Sequence, residues 1–273
     1  MIAGIKETGR LVQVRAKILD VNAFLILQDE YTVILDSLLL PKDSQKLSEI
    51  AASYGKPVKY LINTHFHSDH CFGNRYLKQS ATIQINQKNY WNTIINERAM
   101  INPRHNIPLD RTRLTLPDIT FEEKYKLDDI RIIHTPGHSP DSSCIYLPSE
   151  KVLIAGDTII NNTTGAYSLP YFYWGSAEDL ISSLQKLLEL DISTIYSGHG
   201  YALTGKEKIY IDLDYLRNLV EKVNNLDHQN LSFQEIAQRV TCSSCLNSRQ
   251  KPAVPQVHEL NIRQLLNLEK QSD

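Results

Sequence analysis

Four short apolar segments, each followed by histidine or aspartate beside glycine or proline, constrain this chain of 273 residues more than any other feature. They are segments 58–63, 130–133, 152–155 and 195–196, and the residues that follow them are 64–70, 134–138, 156–157 and 197–200. Apolar, β-branched runs of this length are typical of buried strands. Because residues that follow strands gather at one edge of a sheet, the pattern predicts one site supplied by all four segments.

The first segment leads into four side chains that can bind a metal: His65, His67, Asp69 and His70. Alternate side chains of an extended chain project to the same side, so His65 and His67 can share one cation. Asp69 and His70 lie past the turn, where a helix is predicted to begin, and they point toward a second cation. Imidazole nitrogens and carboxylate oxygens suit zinc. The segment therefore predicts a centre with two divalent metal ions, expected to be Zn²⁺.

The other three segments supply His134, His138, Asp157 and His199 as further candidates, and spacing alone does not choose between His134 and His138. Six of the nine histidines lie in the four segments, too many for chance placement of structural residues. The remaining three lie in polar or helical contexts and are predicted not to be ligands: His105, His228 and His258. Nearby glycines are expected to let the backbone approach the metals closely, namely Gly137, Gly156, Gly198 and Gly200.

Further apolar runs and helical patterns fill the rest of the chain. Strands are predicted at 11–18, 24–28, 31–36 and 82–85, with a hairpin turn at 28–30. Helices are predicted at 43–54, 176–190, 209–223 and 257–268, and a capping box at Ser232 and Glu235 marks another. Strands interleaved with helices indicate a layered α/β or α+β protein. Periodicity does not separate a doubly wound sheet from a sheet sandwich flanked by helices.

Composition excludes several kinds of partner. The net charge is −2 with scattered basic residues, so no nucleic acid partner is expected. No apolar run approaches the roughly 18 residues of a membrane span, and the N-terminus lacks the apolar core of a signal peptide. Four cysteines are too few for a disulfide scaffold. We therefore expect a cytoplasmic protein without a membrane partner, in which residues 1–273 form one domain with a helical portion from about residue 206.

Taken in order, the set His65-x-His67-x-Asp69-His70, His138, Asp157 and His199 resembles the metallo-β-lactamase superfamily of metal-dependent hydrolases over roughly residues 15–201. The resemblance implies an α+β fold, a four-layer αββα sandwich with the site at its top edge, here followed by a helical C-terminal segment. It implies that His65, His67 and His138 bind one metal, that Asp69, His70 and His199 bind the other, and that Asp157 bridges them. It selects His138 because the ligand of such proteins follows Thr-Pro-Gly, and His134 is then either a structural residue or one that supports a ligand from outside. It also implies that Asp69 is catalytic and orients the nucleophile.

The motif set looks most like the glyoxalase II-like branch, which cleaves thioesters, esters or lactones. Asp157 argues against a β-lactamase, because those enzymes carry Cys or Ser at the bridging position. The expected function is a di-zinc hydrolase that uses a metal-bridging hydroxide to cleave a small ester, thioester or lactone. The expected partner is a small-molecule substrate, and a homo-oligomer is left open. The alternatives are a phosphodiesterase or nuclease of the same fold and a mononuclear iron persulfide dioxygenase.

Three weaker features remain. Residues 161–174 are rich in aromatics, which form either a pocket wall above the metals or a cover for the core or a subunit contact. Cys242 and Cys245 form a lone CxxC pair that is predicted to be structural, with a redox or disulfide role as the alternative. The segment His258-Glu-Leu-Asn261, followed by Glu269, resembles the tails of uncharacterised relatives and indicates no substrate.

Overall fold

A computed structural model describes residues 1–77, 83–90, 115–172, 174–226, 230–246 and 252–268. The strands of these residues form two sheets. The first sheet follows chain order and consists of β1 (Ile2–Thr8), β2 (Leu11–Ala16), β3 (Asn22–Leu27), β4 (Thr32–Leu35), β5 (Val58–Ile62), β6 (Ile83–Gln87) and β7 (Ile119–Phe121). Strands β1 to β4 are antiparallel, whereas β4 to β7 are parallel.

The second sheet runs in the order β13-β12-β11-β10-β9-β8. Its strands are β8 (Lys124–Leu127), β9 (Ile130–His134), β10 (Ser143–Leu147), β11 (Val152–Gly156), β12 (Thr194–Ser197) and β13 (Leu203–Thr204). The only parallel pair in this sheet, within the residues that the structure describes, is β11 with β12. The helix Ala177–Leu188 makes the crossover between them.

Eight helices are found among the described residues. They are α1 (Pro41–Ser53), α2 (Ser68–Cys71), α3 (Asn74–Leu77), α4 (Ala177–Leu188), α5 (Glu207–Asn224), α6 (Phe233–Arg239), α7 (Cys242–Cys245) and α8 (Gln256–Leu265). No helix in the described part of the chain is long and apolar enough to cross a bilayer.

Strand side chains alternate between two apolar environments. In β4, Val33 and Leu35 pack against the other sheet, whereas Ile34 packs with residues of α1. In β11, Ile154 faces the first sheet, and Leu153 packs with the helices on the opposite side. Because neighbouring side chains of a strand project to opposite faces, each sheet buries one face against the other sheet and one against helices. The layers are therefore helix, sheet, sheet, helix, and the predicted αββα sandwich is confirmed.

The C-terminal helices pack against the outer face of the second sheet. Leu216 of α5, Ile236 of α6, Cys245 of α7 and Ile262 of α8 belong to the same buried cluster as Leu153. Polar contacts join these helices as well, and the side-chain amide of Asn218 donates a hydrogen bond of 3.0 Å to the carbonyl oxygen of Cys245. This part of the chain therefore shares a hydrophobic core with the sandwich.

Local helix signals predict the structure better than the strand signals do. The hydroxyl of Ser176 accepts a hydrogen bond from the backbone of Asp179, and the capping box of Ser232 and Glu235 is present. The sequence does not predict β1, β7, β8, β10 or β13. In β10, Ser143–Leu147 follows a polar segment typical of a turn, and its burial results from pairing with both β9 and β11. The predicted strand 82–85 corresponds to β6, and its first residue lies outside the described residues.

The interface between the sheets generates a stability prediction. Phe24 of β3 is fully buried and its ring contacts Tyr196 of β12 edge to face, with centroids 5.6 Å apart. We expect Phe24→Ala to lower the free energy of unfolding by about 3–5 kcal/mol, because it opens a cavity between the sheets. Tyr210→Ala, which truncates an exposed aromatic of α5, should change it by about 0.5 kcal/mol or less. Urea unfolding measures both, and equal effects would contradict the assigned layers.

Candidate metal centre

The predicted site residues all follow strands that end at one edge of the sandwich. His65 and His67 lie between β5 and α2, and Asp69 and His70 lie on α2 itself. The other three follow strands of the second sheet: His138 in the β9–β10 connection, Asp157 after β11 and His199 after β12. The structure brings these seven side chains together in two groups of potential ligands, whose donor atoms within each group lie within 4.8 Å of one another.

The first group contains His65, His67, His138 and Asp157. The Nδ1 atom of His67 lies 2.9 Å from Nε2 of His65 and 3.0 Å from Nε2 of His138. The Oδ2 atom of Asp157 lies 3.6 Å from Nε2 of His138 and 4.0 Å from Nε2 of His65. Three imidazole nitrogens and one carboxylate oxygen thus face a common point.

The second group contains Asp69, His70 and His199. The Oδ2 atom of Asp69 lies 3.7 Å from Nε2 of His70 and 3.4 Å from Nε2 of His199. Asp157 also reaches this group, with Oδ1 3.6 Å from Nε2 of His70 and Oδ2 3.3 Å from Nε2 of His199. The Asp157 carboxylate therefore lies between the two groups.

Hydrogen bonds on the outer side of four imidazoles determine which nitrogen faces inward. The Nδ1 atoms of His138 and His199 donate to the carbonyl oxygens of Tyr171, at 2.7 Å, and Leu19, at 2.8 Å. A carbonyl oxygen can only accept, so the proton is on Nδ1 and the lone pair of Nε2 points inward. The Nδ1 atom of His70 is likewise 2.8 Å from Oδ2 of Asp36. The Nδ1 atom of His65 is 3.1 Å from Oγ1 of Thr64.

Asp36 is a functional candidate that the sequence reasoning missed. It follows β4, is buried, and accepts hydrogen bonds from the backbone N–H and the hydroxyl of Thr64, both 2.8 Å long, besides contacting His70. Its backbone is in the left-handed region, with φ of 57°. The signal that could have found it is the one used elsewhere, an acidic residue directly after an apolar strand.

Burial and neighbouring charges divide the histidines into two classes. Burial lowers the pKa of His65, His67 and His138, which keeps these rings neutral. Burial also disfavours charge on His70 and His199, but nearby carboxylates outweigh it and raise their pKa to about 10 and about 9. In the absence of a cation, these two imidazolium ions supply the positive charge that the carboxylates require.

The residues present fit a bound cation. Two buried polar atoms that face into the cluster have no hydrogen-bond partner: Nε2 of His70 and Oδ1 of Asp157. Leaving buried polar atoms unpaired costs about 1–3 kcal/mol each. A divalent cation would satisfy the inward atoms of both groups and replace the protons on His70 and His199.

The backbone comes close to the cluster at Gly198. A Cβ atom at that position would lie 2.2 Å from Oδ1 of Asp157 and 2.8 Å from Cε1 of His70, so only glycine fits. The other three predicted glycines approach different elements: Gly137 meets Leu180, Gly156 meets Thr64, and Gly200 meets Asn162. Their predicted approach to the metals stays a prediction.

The aromatic residues of segment 161–174 divide between the two predicted roles, a pocket wall above the metals and a cover for the core. Tyr167 and Phe172 belong to the buried cluster beneath the second sheet. Tyr171 and Trp174 lie beside the metal centre, with ring centroids 6.0 Å from His138 and 6.2 Å from His67 respectively. Tyr173 lies outside the described residues. Two aromatics of this segment thus border the first group of ligands, while two others cover the core.

Residues predicted not to be ligands lie away from the cluster where the structure describes them. Nε2 of His134 bonds to the carbonyl oxygen of Pro140 at 2.8 Å. The ring of His258 is held between the Tyr215 hydroxyl and the Val240 carbonyl oxygen, at 2.9 and 2.8 Å.

The cysteines of the CxxC pair are both free thiols on α7. His105, His228 and Glu269 lie outside the described residues.

Comparison with known proteins agrees with this fold and order of residues. Residues 16–199 match the model of the metallo-beta-lactamase superfamily. The chain is 31% identical over 201 residues to glyoxylase B2 of Dictyostelium discoideum, a match that covers 65% of this chain and 65% of that protein. It is 26% identical over 223 residues to hydroxyacylglutathione hydrolase of Pelagibacter ubique, which covers 77% of this chain and 83% of the relative.

The solved structure of DIM-1 metallo-beta-lactamase superposes with a TM-score of 0.65 at 15% identity, over 80% of this chain and 99% of that chain. This likeness concerns the fold. The family model covers well over half of the sequence, and one relative is named a hydrolase, which agrees with the predicted enzyme class. The chain belongs to the metallo-β-lactamase superfamily.

Proposed function

We propose that this protein is a di-zinc hydrolase that cleaves a small thioester, ester or lactone. The observation that carries the proposal is the convergence of seven donors in two groups around the Asp157 carboxylate. His65, His67 and His138 would hold the first ion, Asp69, His70 and His199 the second, and Asp157 both. A donor set of five imidazoles and two carboxylates suits zinc.

Zinc ions bound by these residues would polarise the carbonyl group of the substrate and lower the pKa of a water toward about 7. Asp69 is the residue of the second group that we assign to the reacting water. Its Oδ2 atom faces His199 at 3.4 Å, and its side chain retains 14% exposure, so it can reach the substrate side of the centre. Asp69 orients the attacking water and carries its proton.

The substrate class rests on the relatives and on the aromatic border of the first group. One relative is named a hydroxyacylglutathione hydrolase, which supports a thioester. Tyr171 and Trp174 beside His138 and His67 support binding of an apolar acyl group at that end of the centre. No Gly-Cys-Gly-Arg segment of the glyoxalase II type follows Asp157, so the thiol part of the substrate need not be glutathione.

Two alternative functions within the superfamily can be distinguished from this proposal by experiment. A persulfide dioxygenase would bind one iron, whereas the complete second group of Asp69, His70 and His199 supports two ions. A nuclease would need an electropositive surface, whereas the net charge is −2. Metal analysis, followed by assays with thioester, lactone, phosphodiester and β-lactam substrates, tests the proposal. One iron without zinc, or cleavage of phosphodiesters alone, would overturn it.

The first functional prediction concerns a direct ligand. His138→Ala should leave one zinc ion per chain instead of two and lower kcat for thioesters by more than the roughly 10–100-fold that loss of an outer partner costs. His134→Gln is the matched control, because His134 lies outside the cluster and glutamine can keep a hydrogen bond to Pro140. Atomic absorption and steady-state kinetics measure both variants. Equal metal content in the two would contradict the assignment.

The second prediction concerns Asp36, the acceptor for Nδ1 of His70. Asp36→Asn removes the charge that holds this imidazole and should weaken zinc binding by roughly 10–100-fold. Asp129→Asn is the control, because Asp129 pairs with Arg10 just before β9, at the end of that strand opposite the site. Competition with a chromophoric chelator gives both affinities, and an unchanged affinity in Asp36→Asn would refute the role.

A further inference from the structure

Helix α8 holds the chain segment that borders the metal centre. We call residues 167–172 and 174–175 the aromatic loop. The amide nitrogen of Asn261 donates to the carbonyl oxygen of Pro170 at 2.8 Å, and that of Gln264 donates to the carbonyl oxygen of Gly175 at 2.9 Å. The two donors are three residues apart, so they lie on one face of the helix. Their hydrogen bonds therefore hold the chain on both sides of Tyr171 and Trp174.

The aromatic loop makes its contacts with the centre between those two attachment points. The carbonyl oxygen of Tyr171 accepts the 2.7 Å hydrogen bond from Nδ1 of His138, and the ring of Trp174 lies against those of His67 and Phe66. His138 and His67 both belong to the first group of candidate ligands. A shift of the aromatic loop would therefore move the acceptor that orients His138.

The turn that carries His138 is closely packed, so a shift of the aromatic loop would be transmitted to it. A Cβ atom at Gly175 would lie 2.0 Å from the carbonyl oxygen of Gly137, so the aromatic loop touches the backbone directly before His138. On the other side, the hydroxyl of Ser183 in α4 donates to the carbonyl oxygen of Pro136 at 2.7 Å. The turn that carries His138 is thus enclosed between α4 and the aromatic loop.

The second group of ligands is held differently. His70 is oriented by Asp36 after β4, and His199 by the carbonyl oxygen of Leu19 between β2 and β3. Both acceptors belong to the first sheet side of the sandwich. Helix α8 therefore supports one half of the centre, through a path that ends at His138.

We propose that Asn261 and Gln264 are positioning residues that set the orientation of His138 through the aromatic loop. The inference rests on the proposed two-metal function and assigns a role to the His258-Glu-Leu-Asn261 segment. His258 contributes by fixing α8 against Tyr215 and Val240. Asn261 itself is fully buried and also donates to the Tyr215 hydroxyl at 3.3 Å, so its amide cannot rotate freely.

The test reads the His138 hydrogen bond directly. In ¹⁵N-labelled, zinc-loaded protein, the imidazole Nδ1–H protons of His138 and His199 exchange with water at rates that NMR can compare. Gln264→Met keeps the side-chain length but cannot donate, and Asn261→Ala removes the second donor. We expect His138 Nδ1–H exchange to accelerate on the order of tenfold in each variant, with His199 unchanged as the internal reference. Zinc affinity at one of the two sites should fall about three- to tenfold, below the 10–100-fold effect of a direct partner.

Glu259→Gln, an exposed change on the same helix, is the control and should leave both exchange rates unchanged. If Asn261→Ala does not fold, Gln264→Met at a partly buried position still provides the test. Equal exchange of His138 in Gln264→Met and wild type, with two zinc ions bound, would overturn the positioning role alone. A wild-type protein that binds no zinc would overturn the proposed function and this inference with it.

Discussion

The centre depends on the hydrogen bonds made by the outer nitrogens of its imidazoles. Because Nδ1 of His138 and His199 is committed to a carbonyl oxygen, and Nδ1 of His70 to Asp36, the Nε2 atoms must face one another across the cluster. Such an arrangement of lone pairs and carboxylates is unfavourable without positive charge between them. The neighbouring carboxylates raise the pKa of His70 and His199, which favours protons at these positions, and a metal ion would displace them.

The hydrogen-bond acceptors for these outer imidazole nitrogens come from different layers of the sandwich. Asp36 and Leu19 follow strands of the first sheet, while Tyr171 belongs to a loop of the second half that α8 supports. The sandwich therefore does more than bury apolar surface. It brings the ends of β4, β5, β9, β11 and β12 to one edge, so that ligands and their hydrogen-bond acceptors arrive from both sheets. Asn22 of β3 links them further, since its amide donates to the carbonyl oxygens of Ser197 and Gly200 beside His199, both at 3.0 Å.

The C-terminal helices add an asymmetry to this arrangement. They share the apolar core of the second sheet and contact the aromatic loop through side-chain amides. Tyr171 and Trp174 border the first group of candidate ligands. Under the proposed function, this end of the centre would bind the acyl part of the substrate and the other end would direct the reacting water.

The sequence by itself indicated the first cluster of candidate ligands and the positions of the longer helices, because both depend on local patterns. His65, His67, Asp69 and His70 lie within six residues, and the caps at Ser176 and Ser232 act within one turn of helix. His138 needed the resemblance to a family, since His134 has the same residue type at a similar strand end. The layered architecture likewise needed the resemblance, because periodicity does not show how sheets stack.

Only the tertiary structure decided the features that depend on contacts between distant segments. Strand β10 is buried by its pairing with β9 and β11, which its own residues do not indicate. Asp36 and His70 are 34 positions apart and meet at 2.8 Å; Pro170 and Asn261, 91 positions apart, also meet at 2.8 Å. Four glycines lie near the strand ends, and only the packed structure identifies Gly198 as the glycine that contacts the Asp157 carboxylate. A sequence pattern specifies what a side chain can do, whereas its partner is chosen by how the layers pack.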